Sequence, residues 1–462
     1  MTWPQAIPSR SVVAALAVFA VAALLRLAAA TPGMLRGDAE RFSRPDTPGY
    51  LAEAREFATT GRIHGTGRVP GFPLVASFFI GGRGKLHFIP LVVFLSLVGA
   101  ATSAVVFMAG NVRSFGVGLA AGLLHAFNLT AIVNSPMLLS DTLFGLLAAA
   151  EFLFFMHLWV KKRYWCFFPM VGVAALGVLF RPINLLWFFP AAVLLLLCFD
   201  AALTRRKKAA FVAGGAMIFA VVVFPWMFRN AALGAGFTPD TNTGAMRHQN
   251  GAMLMAAVNG TDFESEKARL IAEEKREFAD TARYPDEASR EAWRIREYRR
   301  MVAAHPWLWL RQSASWRIFI PDAATFWELC GVTSSGRGTM GVMAKHGFFA
   351  GVRHYFGGSW TLLLLTLLLL IPVLVLYACA LGRVVCDICR IREYWYELVV
   401  FLAFAEYYLL LPGAITAPRY QIPALPVLCV LAALFITERN QDDAPVEEAA
   451  EEAENAPEEA TA

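Results

Sequence analysis

Charged residues are scarce in this sequence. Only 17% of the 462 residues are charged, whereas 57% are hydrophobic; soluble domains average about 25% charged and about 45–50% apolar residues. This balance excludes water as the main solvent of the chain. The formal net charge is only +5, and the basic residues form short clusters between apolar runs, as in cytoplasmic loops of membrane proteins. Nucleic acid is therefore not expected as a partner.

The sequence also lacks a disulfide framework. Four of its seven cysteines lie in or beside apolar runs, and Cys330 stands alone in a long polar stretch. Cys386 and Cys389 have the spacing of metal ligands, but a zinc site needs a second pair or nearby histidines. We therefore predict that these two cysteines lie in a cytoplasmic linker without a metal.

Apolar runs long enough to cross a membrane recur along the chain, because a spanning helix needs about 20 mostly apolar residues. The runs are 11–30, 87–110, 115–133, 138–160, 167–181, 183–200, 209–228, 360–381, 396–411 and 420–437. The sequence therefore predicts an all-α integral membrane protein with about ten transmembrane helices. We expect the first run to be retained as a span, since no clear small-residue cleavage site follows it.

Basic residues orient these spans. An even number of spans places both termini on one side, and the connections on that side contain Arg113 and the basic clusters at 161–163, 205–208 and 383–392. The positive-inside rule makes this side cytoplasmic. Residues 1–437 form the membrane domain. Residues 438–462 are expected to be a disordered cytoplasmic tail, because nine acidic residues and no basic one follow Arg439.

Two long loops remain for the opposite, outer side: residues 31–86, the first long loop, and residues 229–359, the second. In the first, Pro48 and Gly61 delimit a predicted helix along the membrane interface. In the second, residues 286–304 predict an amphipathic scaffold helix. Its apolar stripe consists of Ala288, Ala292, Ile295, Tyr298 and Val302.

Four arginines lie on this outer side, where the charge rule disfavours them. Arg181, Arg229 and Arg419 stand at the outer ends of apolar runs, and Arg68 lies in the first long loop. A single arginine there can simply extend its charge to the interface. Four together indicate an anionic ligand such as a lipid phosphate, because guanidinium matches phosphate geometry.

Carboxylates complete the set of candidates. Asp46 lies between two prolines before the interfacial helix, and Asp141 lies just inside the outer end of the fourth span, where an ionisable group is costly. The alternatives are that Asp46 caps a helix and that Asp141 orders a span end by local hydrogen bonds. Glu151 and Glu406 lie deeper in spans and have no assigned role.

No cofactor is required by the sequence. His64 and His248 are read as ordinary polar residues of the long loops, because no HExxH or comparable cluster accompanies them. The first long loop has no DxD-like cluster, although Asp38 and Glu40 leave a divalent metal open.

Several short motifs follow one another along the chain and lie on the predicted outer face. They are Pro45-Asp46-Thr47-Pro48-Gly49-Tyr50-Leu51, Arg68-Val69-Pro70-Gly71-Phe72-Pro73-Leu74, Ser140-Asp141-Thr142-Leu143-Phe144, Arg181-Pro182, Pro225-Trp226 with Arg229-Asn230, His305-Pro306 and Pro418-Arg419-Tyr420-Gln421-Ile422-Pro423. Together they resemble the GT-C class of membrane glycosyltransferases, in the branch of the protein O-mannosyltransferases and the lipid A aminoarabinose transferases. The resemblance covers nearly the whole chain before the tail.

The resemblance implies a polyprenyl-phosphate sugar donor, an acceptor on the outer side and an inverting transfer in a bacterial inner membrane. It also implies that Asp46 is the catalytic base and that Arg68 contacts the donor phosphate. The remaining substrate-binding candidates lie in or beside the other motifs: Tyr50, Asp141, Arg181, Arg229, Arg419 and Tyr420. Aminoarabinose transferases have lysine where this chain has Arg68, and Thr47 stands in place of a second acid, so the donor sugar and the acceptor stay open.

The residue types suit this chemistry. An attacking hydroxyl needs a base, whereas a departing phosphate needs charge stabilisation more than a proton. A glycosidase would need two carboxyl groups. Two other functions stay open: an O-antigen polymerase or ligase, expected to use arginine and histidine in its large loop, and a secondary transporter, expected to show inverted repeats.

Overall fold

The computed structural model describes residues 9–198, 203–314, 316–332, 339–389, 401–402, 404–405, 407–414 and 417–442. Within these ranges the regular elements are all helices, and the single β-bridge joins Ile80 and Leu86. Three parts of the chain that the sequence analysis discusses lie outside the described residues: Glu406, residues 390–392 of the basic cluster, and the tail from residue 443.

The α-helices are, in chain order, α1 (Ser9–Leu35), α2 (Thr47–Thr60), α3 (Gly71–Ser77), α4 (Phe88–Asn111), α5 (Phe115–Ala126), α6 (Leu129–Asn134), α7 (Asp141–Val160), α8 (Phe167–Val178), α9 (Phe188–Cys198), α10 (Arg205–Ala232), α11 (Asn250–Asn259), α12 (Phe263–Glu277), α13 (Glu287–Ala304), α14 (Pro306–Ser313), α15 (Ala323–Leu329), α16 (Thr339–His346), α17 (Phe348–Tyr355), α18 (Trp360–Cys389) and α19 (Leu425–Asp442). The 3-10 helices are Ala39–Phe42, Gly82–Gly84, Tyr164–Cys166, Pro182–Leu186, Thr243–Arg247, Trp316–Phe319 and Pro418–Ala424. Between 401 and 410 the described residues are also helical.

Six of these segments are long and apolar enough to cross a membrane: Arg10–Leu35, Phe88–Asn111, Asp141–Val160, Arg205–Ala232, Trp360–Cys389 and Pro418–Thr437. Three more, Phe115–Ala126, Tyr164–Val178 and Pro182–Val193, are apolar but shorter. The all-helical fold and the membrane class are therefore as expected. The total of about ten spans stays a prediction.

The outward face of α18 explains why the chain needs lipid. Leu364, Leu368, Ile371 and Leu374 are each more than half exposed, although the helix has a mean hydropathy of 2.9 over its most apolar stretch. An apolar face of this length is stable only in an apolar solvent. These helices are those of a multi-pass membrane protein.

Several predicted spans differ in their details. The run 115–133 is two helices, because Asn128 interrupts it and caps α6 by accepting a hydrogen bond from the Ala131 amide at 3.0 Å. The runs at 183–200 and 420–437 begin as 3-10 helices instead of α-helices. Cys386 and Cys389 do not lie in a linker: they are exposed, free thiols in the last turn of α18.

A buried arginine supports the break between α5 and α6. Arg26 of α1 is fully buried, and its guanidinium donates to Ser135 Oγ at 2.9 Å and to the carbonyls of Ala22 and Ala126 at 3.1 and 3.4 Å. Ala126 ends α5 and Ser135 follows α6. Arg26 therefore satisfies groups at two helix ends, where a positive charge is favourable.

The loop helices agree closely with the sequence. The helix α2 ends at Gly61, whose φ of 70° gives the left-handed conformation that glycine adopts most readily. The helix α13 begins after Asp286, which caps it. Its buried side chains are Glu291 and Trp293, whereas Ala292 of the predicted apolar stripe is exposed. Ala288, Ile295, Tyr298 and Val302 of that stripe are partly buried, so the predicted stripe contributes to the packing beside Glu291 and Trp293.

Charged side chains hold the second long loop together. Arg294 of α13 contacts Glu274 of α12 at 3.0 Å, and His248 contacts the same carboxylate at 2.6 Å. Burial opposes ionisation of Glu274, but the hydrogen bonds from His248 and Arg294 outweigh it, so the pKa of Glu274 is lowered. This network joins α12 and α13 of the second long loop to the segment that contains His248.

Candidate active site

Backbone and side-chain hydrogen bonds join the start of α2 to the start of α7. The Leu138 amide donates to the Phe42 carbonyl at 2.9 Å, and Thr47 Oγ1 donates to the Leu138 carbonyl at 3.0 Å. The hydroxyls of Tyr50 and Ser140 lie 3.2 Å apart. The two predicted carboxylates, one at the start of each helix, are therefore brought to the same end of the bundle.

Asp46 is held between two arginines. Its Oδ1 accepts a hydrogen bond from Arg68 Nη2 at 3.2 Å, and its Oδ2 accepts one from Arg419 Nη2 at 2.8 Å. We call these three side chains the Asp46 cluster. Although Asp46 stands at the N-cap of α2, its side chain makes no capping hydrogen bond. Capping therefore does not account for this carboxylate.

The two arginines keep Asp46 ionised. Burial raises the proton affinity of the carboxyl group, but the charges and hydrogen bonds of Arg419 and Arg68 outweigh it, so the pKa of Asp46 is lowered. The Asp46 side chain is still 35% exposed. An accessible carboxylate beside two fixed positive charges is thus available at neutral pH.

Glycine and an aromatic ring make room for Arg68. A side chain at Gly49 would place its Cβ 2.9 Å from Arg68 Nε, and the Arg68 guanidinium lies 4.5 Å from the centre of the Tyr50 ring. The glycine one turn after Asp46 therefore lets the guanidinium lie across α2. The ring adds a cation–π contact beneath it.

The segment that contains Arg68 is also fixed to the end of α8. The Gly71 amide donates to the Leu179 carbonyl at 2.6 Å, and a Cβ at Gly71 would lie 2.5 Å from that oxygen. Only glycine permits this approach without displacement. Since Arg181 follows two residues after Leu179, the contact sets the spacing between Arg68 and Arg181.

A second ion pair lies beside the first. Arg181 Nη1 contacts Asp141 Oδ1 at 2.5 Å, and the Asp141 side chain is only 4% exposed. The Tyr420 ring lies between the two pairs, with its centre 5.3 Å from the Arg181 guanidinium and 5.4 Å from that of Arg419. The two ion pairs therefore form one continuous charged surface.

The 3-10 helix Pro418–Ala424 carries Arg419 and Tyr420, and Gln421 anchors it. The Gln421 side chain is fully buried and donates to the Ile318 carbonyl at 2.8 Å, while Tyr377 donates to its Oε1. Gln421 thus ties this segment to the second long loop and to α18.

Arg229 has a different role from the other arginines. Its guanidinium donates to the carbonyls of Ile63 and Gly65, the latter at 2.8 Å, and to Asn230 Oδ1 at 2.6 Å. These bonds hold the stretch between α2 and Arg68 against α10. Of the eight predicted site residues, seven form one connected set, and Arg229 supports the loop next to it. The seven are Asp46, Tyr50, Arg68, Asp141, Arg181, Arg419 and Tyr420.

Glu53 belongs to the same neighbourhood, and the motifs did not reveal it. It follows Asp46 by seven residues on α2, and the charges of Arg68 and Arg229 both act on it. Burial nevertheless dominates and raises the pKa of Glu53 to about 7. The seven-residue spacing on a helix is the only sequence signal for its position.

Potential metal ligands are not grouped in the part of the chain that the structure describes: no set of three or more His, Cys, Asp or Glu residues comes together there. His64 and His248 each contact a glutamate, Glu56 at 2.5 Å and Glu274 at 2.6 Å. Metal independence stays a prediction.

The fold and the site together define a class: an all-helical, multi-pass membrane protein with a paired carboxylate–arginine surface at one end of its helices. Comparison with known protein families, curated proteins and solved structures found no match to this chain.

Proposed function

We propose that this protein is a membrane glycosyltransferase that moves a sugar from a polyprenyl-phosphate donor to an acceptor hydroxyl. The observation that carries the proposal is the Asp46 cluster, in which one partly exposed carboxylate lies within hydrogen-bond distance of two arginines. This pairing supplies a proton acceptor and a phosphate-binding pair in one place.

In the proposed reaction the acceptor oxygen attacks the anomeric carbon of the sugar. The bond from that carbon to the phosphate oxygen breaks, and its electron pair leaves with the polyprenyl phosphate. The acceptor proton passes to Asp46. The donor phosphodiester carries one negative charge and the departing phosphate carries two, so Arg68 and Arg419 stabilise charge that grows along the reaction. Attack from the opposite face gives inversion.

Donor binding changes the protonation chemistry of Asp46 in this proposal. In the structure the arginines lower the pKa of Asp46, which makes it a weak base. A phosphate that takes up Arg68 and Arg419 removes this stabilisation, so the carboxylate becomes more basic when the donor is in place.

Arg181 and Tyr420 support the same surface. Asp141 orients Arg181 through a 2.5 Å contact, and Tyr420 separates Arg181 from Arg419. We assign them to binding the donor phosphate or the product. No role in proton transfer is assigned to Asp141, because its side chain is almost fully buried.

We place this surface on the outer face of a bacterial inner membrane. The clusters at 161–163 and 205–208 lie at the opposite ends of α7 and α10 from Asp141 and Arg229. The positive-inside rule assigns the clusters to the cytoplasm and hence the site to the outside.

The direct test incubates the purified protein in nanodiscs with a panel of glycosyl prenyl phosphates and a bacterial membrane-lipid extract. Mass spectrometry should detect a glycosylated product together with free prenyl phosphate. Mass spectrometry of lipids that co-purify with the protein would narrow the panel. Solute flux without product would instead support a transporter. Adding the matching glycosyl prenyl pyrophosphates tests the remaining alternative: transfer only from these donors, with release of prenyl pyrophosphate, would support a polymerase or ligase.

A further inference from the structure

The side chain of Glu53 lies on the face of α2 that carries the Asp46 cluster. Asp46, Tyr50 and Glu53 are spaced by four and then three residues, which places them on one face of the helix. Seven residues correspond to a rise of about 10 Å along an α-helix. Glu53 is therefore separated from the reacting carboxylate by roughly the space that a bound sugar ring needs.

One oxygen of Glu53 is buried without a partner. Among the described residues, nothing forms a hydrogen bond with Oε2, which water also does not reach. Oε1 lies against Gly65, where an added Cβ would come within 2.9 Å of it. Leaving a buried oxygen acceptor without a partner is unfavourable, so its retention next to the Asp46 cluster points to a ligand that supplies one.

Neither neighbouring arginine supplies that partner. Arg68 donates to Asp46, and Arg229 donates to the carbonyls of Ile63 and Gly65. Both still attract a negative charge at Glu53, whereas Glu56 and Asp240 repel it, and burial raises the pKa of Glu53 to about 7.

We propose that Glu53, which is partly exposed as a residue, turns its carboxyl group so that Oε2 binds a hydroxyl or amino group of a carbohydrate at this site. The inference rests on the proposed function, because it takes Arg68 as the phosphate-binding residue. The carbohydrate is either the sugar of the donor or the acceptor, since both must lie close to Asp46 during transfer. Glu53 is thus a substrate-positioning residue in a place where the family motifs give no residue.

The experiment compares two prenyl phosphodiesters that differ only in the sugar. One probe is a glycosyl farnesyl phosphate from the panel above, and the other is methyl farnesyl phosphate, which has no sugar. Neither phosphodiester titrates near neutral pH, so pH affects only the protein. Dissociation constants are measured for wild type, Glu53→Ala, Glu53→Gln and the control Glu56→Ala, which removes a partly exposed carboxylate on the same helix.

If Glu53 binds the donor sugar, Glu53→Ala lowers the affinity for the glycosyl probe about ten-fold and leaves the affinity for the methyl probe unchanged. Glu53→Gln, which keeps an oxygen acceptor, should recover most of the affinity. If Glu53 binds the acceptor, both probes bind Glu53→Ala as they bind wild type. The amount of membrane-lipid extract that half-saturates transfer then rises about ten-fold.

The two proposals fail in different ways. Wild-type affinities together with wild-type transfer in Glu53→Ala would overturn the role of Glu53 and leave the glycosyltransferase intact. If wild type binds neither probe, the phosphate site itself is wrong, and the role of Glu53 falls with it. An equal loss of affinity for both probes in Glu53→Ala would assign Glu53 to the phosphate site and refute carbohydrate binding.

Discussion

Replacing Asp46 by asparagine separates its chemical role from its structural one. Asparagine keeps one oxygen that accepts a hydrogen bond from Arg68 or Arg419, but its NH₂ group faces the other guanidinium. One charged hydrogen bond of about 1.5–3 kcal/mol is therefore lost, and solvent screening reduces its effect because the side chain is 35% exposed. Loss of the base costs more, about 10²–10⁴-fold in turnover.

The donor affinity of Asp46→Asn should rise or stay the same, although its turnover falls. Asp46 competes with the donor phosphate for Arg68 and Arg419, so Asp46→Asn should bind a glycosyl farnesyl phosphate at least as tightly as wild type. The measurement is donor binding and single-turnover transfer on the same nanodisc preparation. A large fall in turnover with intact donor binding identifies a chemical step.

Asp141→Asn is the matched control. Asp141 pairs with Arg181 and is only 4% exposed, so its loss should reduce donor affinity or the yield of folded protein and leave substantial turnover. Wild-type turnover in Asp46→Asn, combined with an inactive Asp141→Asn that still binds donor, would reverse the two roles and refute the reasoning.

Four further experiments address the phosphate contact of Arg68, the membrane topology, the close approach at Gly71 and the titration of Glu53. Arg68→Ala should weaken donor binding about ten- to a hundred-fold, and Arg68→Lys much less, because charge is what the phosphate needs; equal affinities in a binding titration would remove Arg68 from the site. In a variant without natural cysteines, a thiol at Thr60 should react with an impermeant reagent from outside intact cells and one at Lys207 should not; labelling of position 207 from outside would invert the topology. Gly71→Ala places a Cβ 2.5 Å from a carbonyl oxygen, so the free energy of unfolding should fall by about 1–3 kcal/mol and the melting temperature should fall with it. An unchanged melting temperature would contradict the close approach. The folded protein keeps a proton on Glu53 up to about pH 7, against an ordinary pKa of 4.5, so the stability that this proton confers falls as pH rises from about 4.5 to about 7. Glu53→Gln should therefore lose less thermal stability than wild type between pH 5.5 and pH 8, and parallel curves would show that Glu53 does not titrate there.

The sequence predicted the helices well wherever local signals are strong. Gly61 and Asp286 mark helix boundaries through their own backbone or side chain, and both boundaries agree with the structure. The break at Asn128 was missed because hydropathy is continuous across it. Its stability depends on Arg26, which comes from a helix a hundred residues earlier, and no local pattern reveals that contact.

In the candidate site, too, features set by local sequence were predicted and features set by tertiary contacts were not. Asp46, Arg68 and Arg419 were selected from position and residue type, and the family resemblance supplied the roles of Asp46 and Arg68. The structure places the two arginines in direct contact with Asp46. The role of Arg229 was not predictable, because its partners are backbone carbonyls whose position depends on tertiary structure. Glu53 was missed because its significance lies in a hydrogen bond that is absent, which sequence cannot show.

The Asp46 cluster also bears on which anions can enter. Asp46 is covalently part of the chain and already sits 2.8 and 3.2 Å from the two guanidinium groups, so it acts as a resident counter-ion at a high effective concentration. A small soluble anion must displace it with no other source of binding energy. An anion carried on a long apolar chain arrives already concentrated in the bilayer, and that enrichment offsets the competition. If the proposed function is right, the two ion pairs of Asp46 therefore select for ligands delivered by the membrane over those dissolved in water.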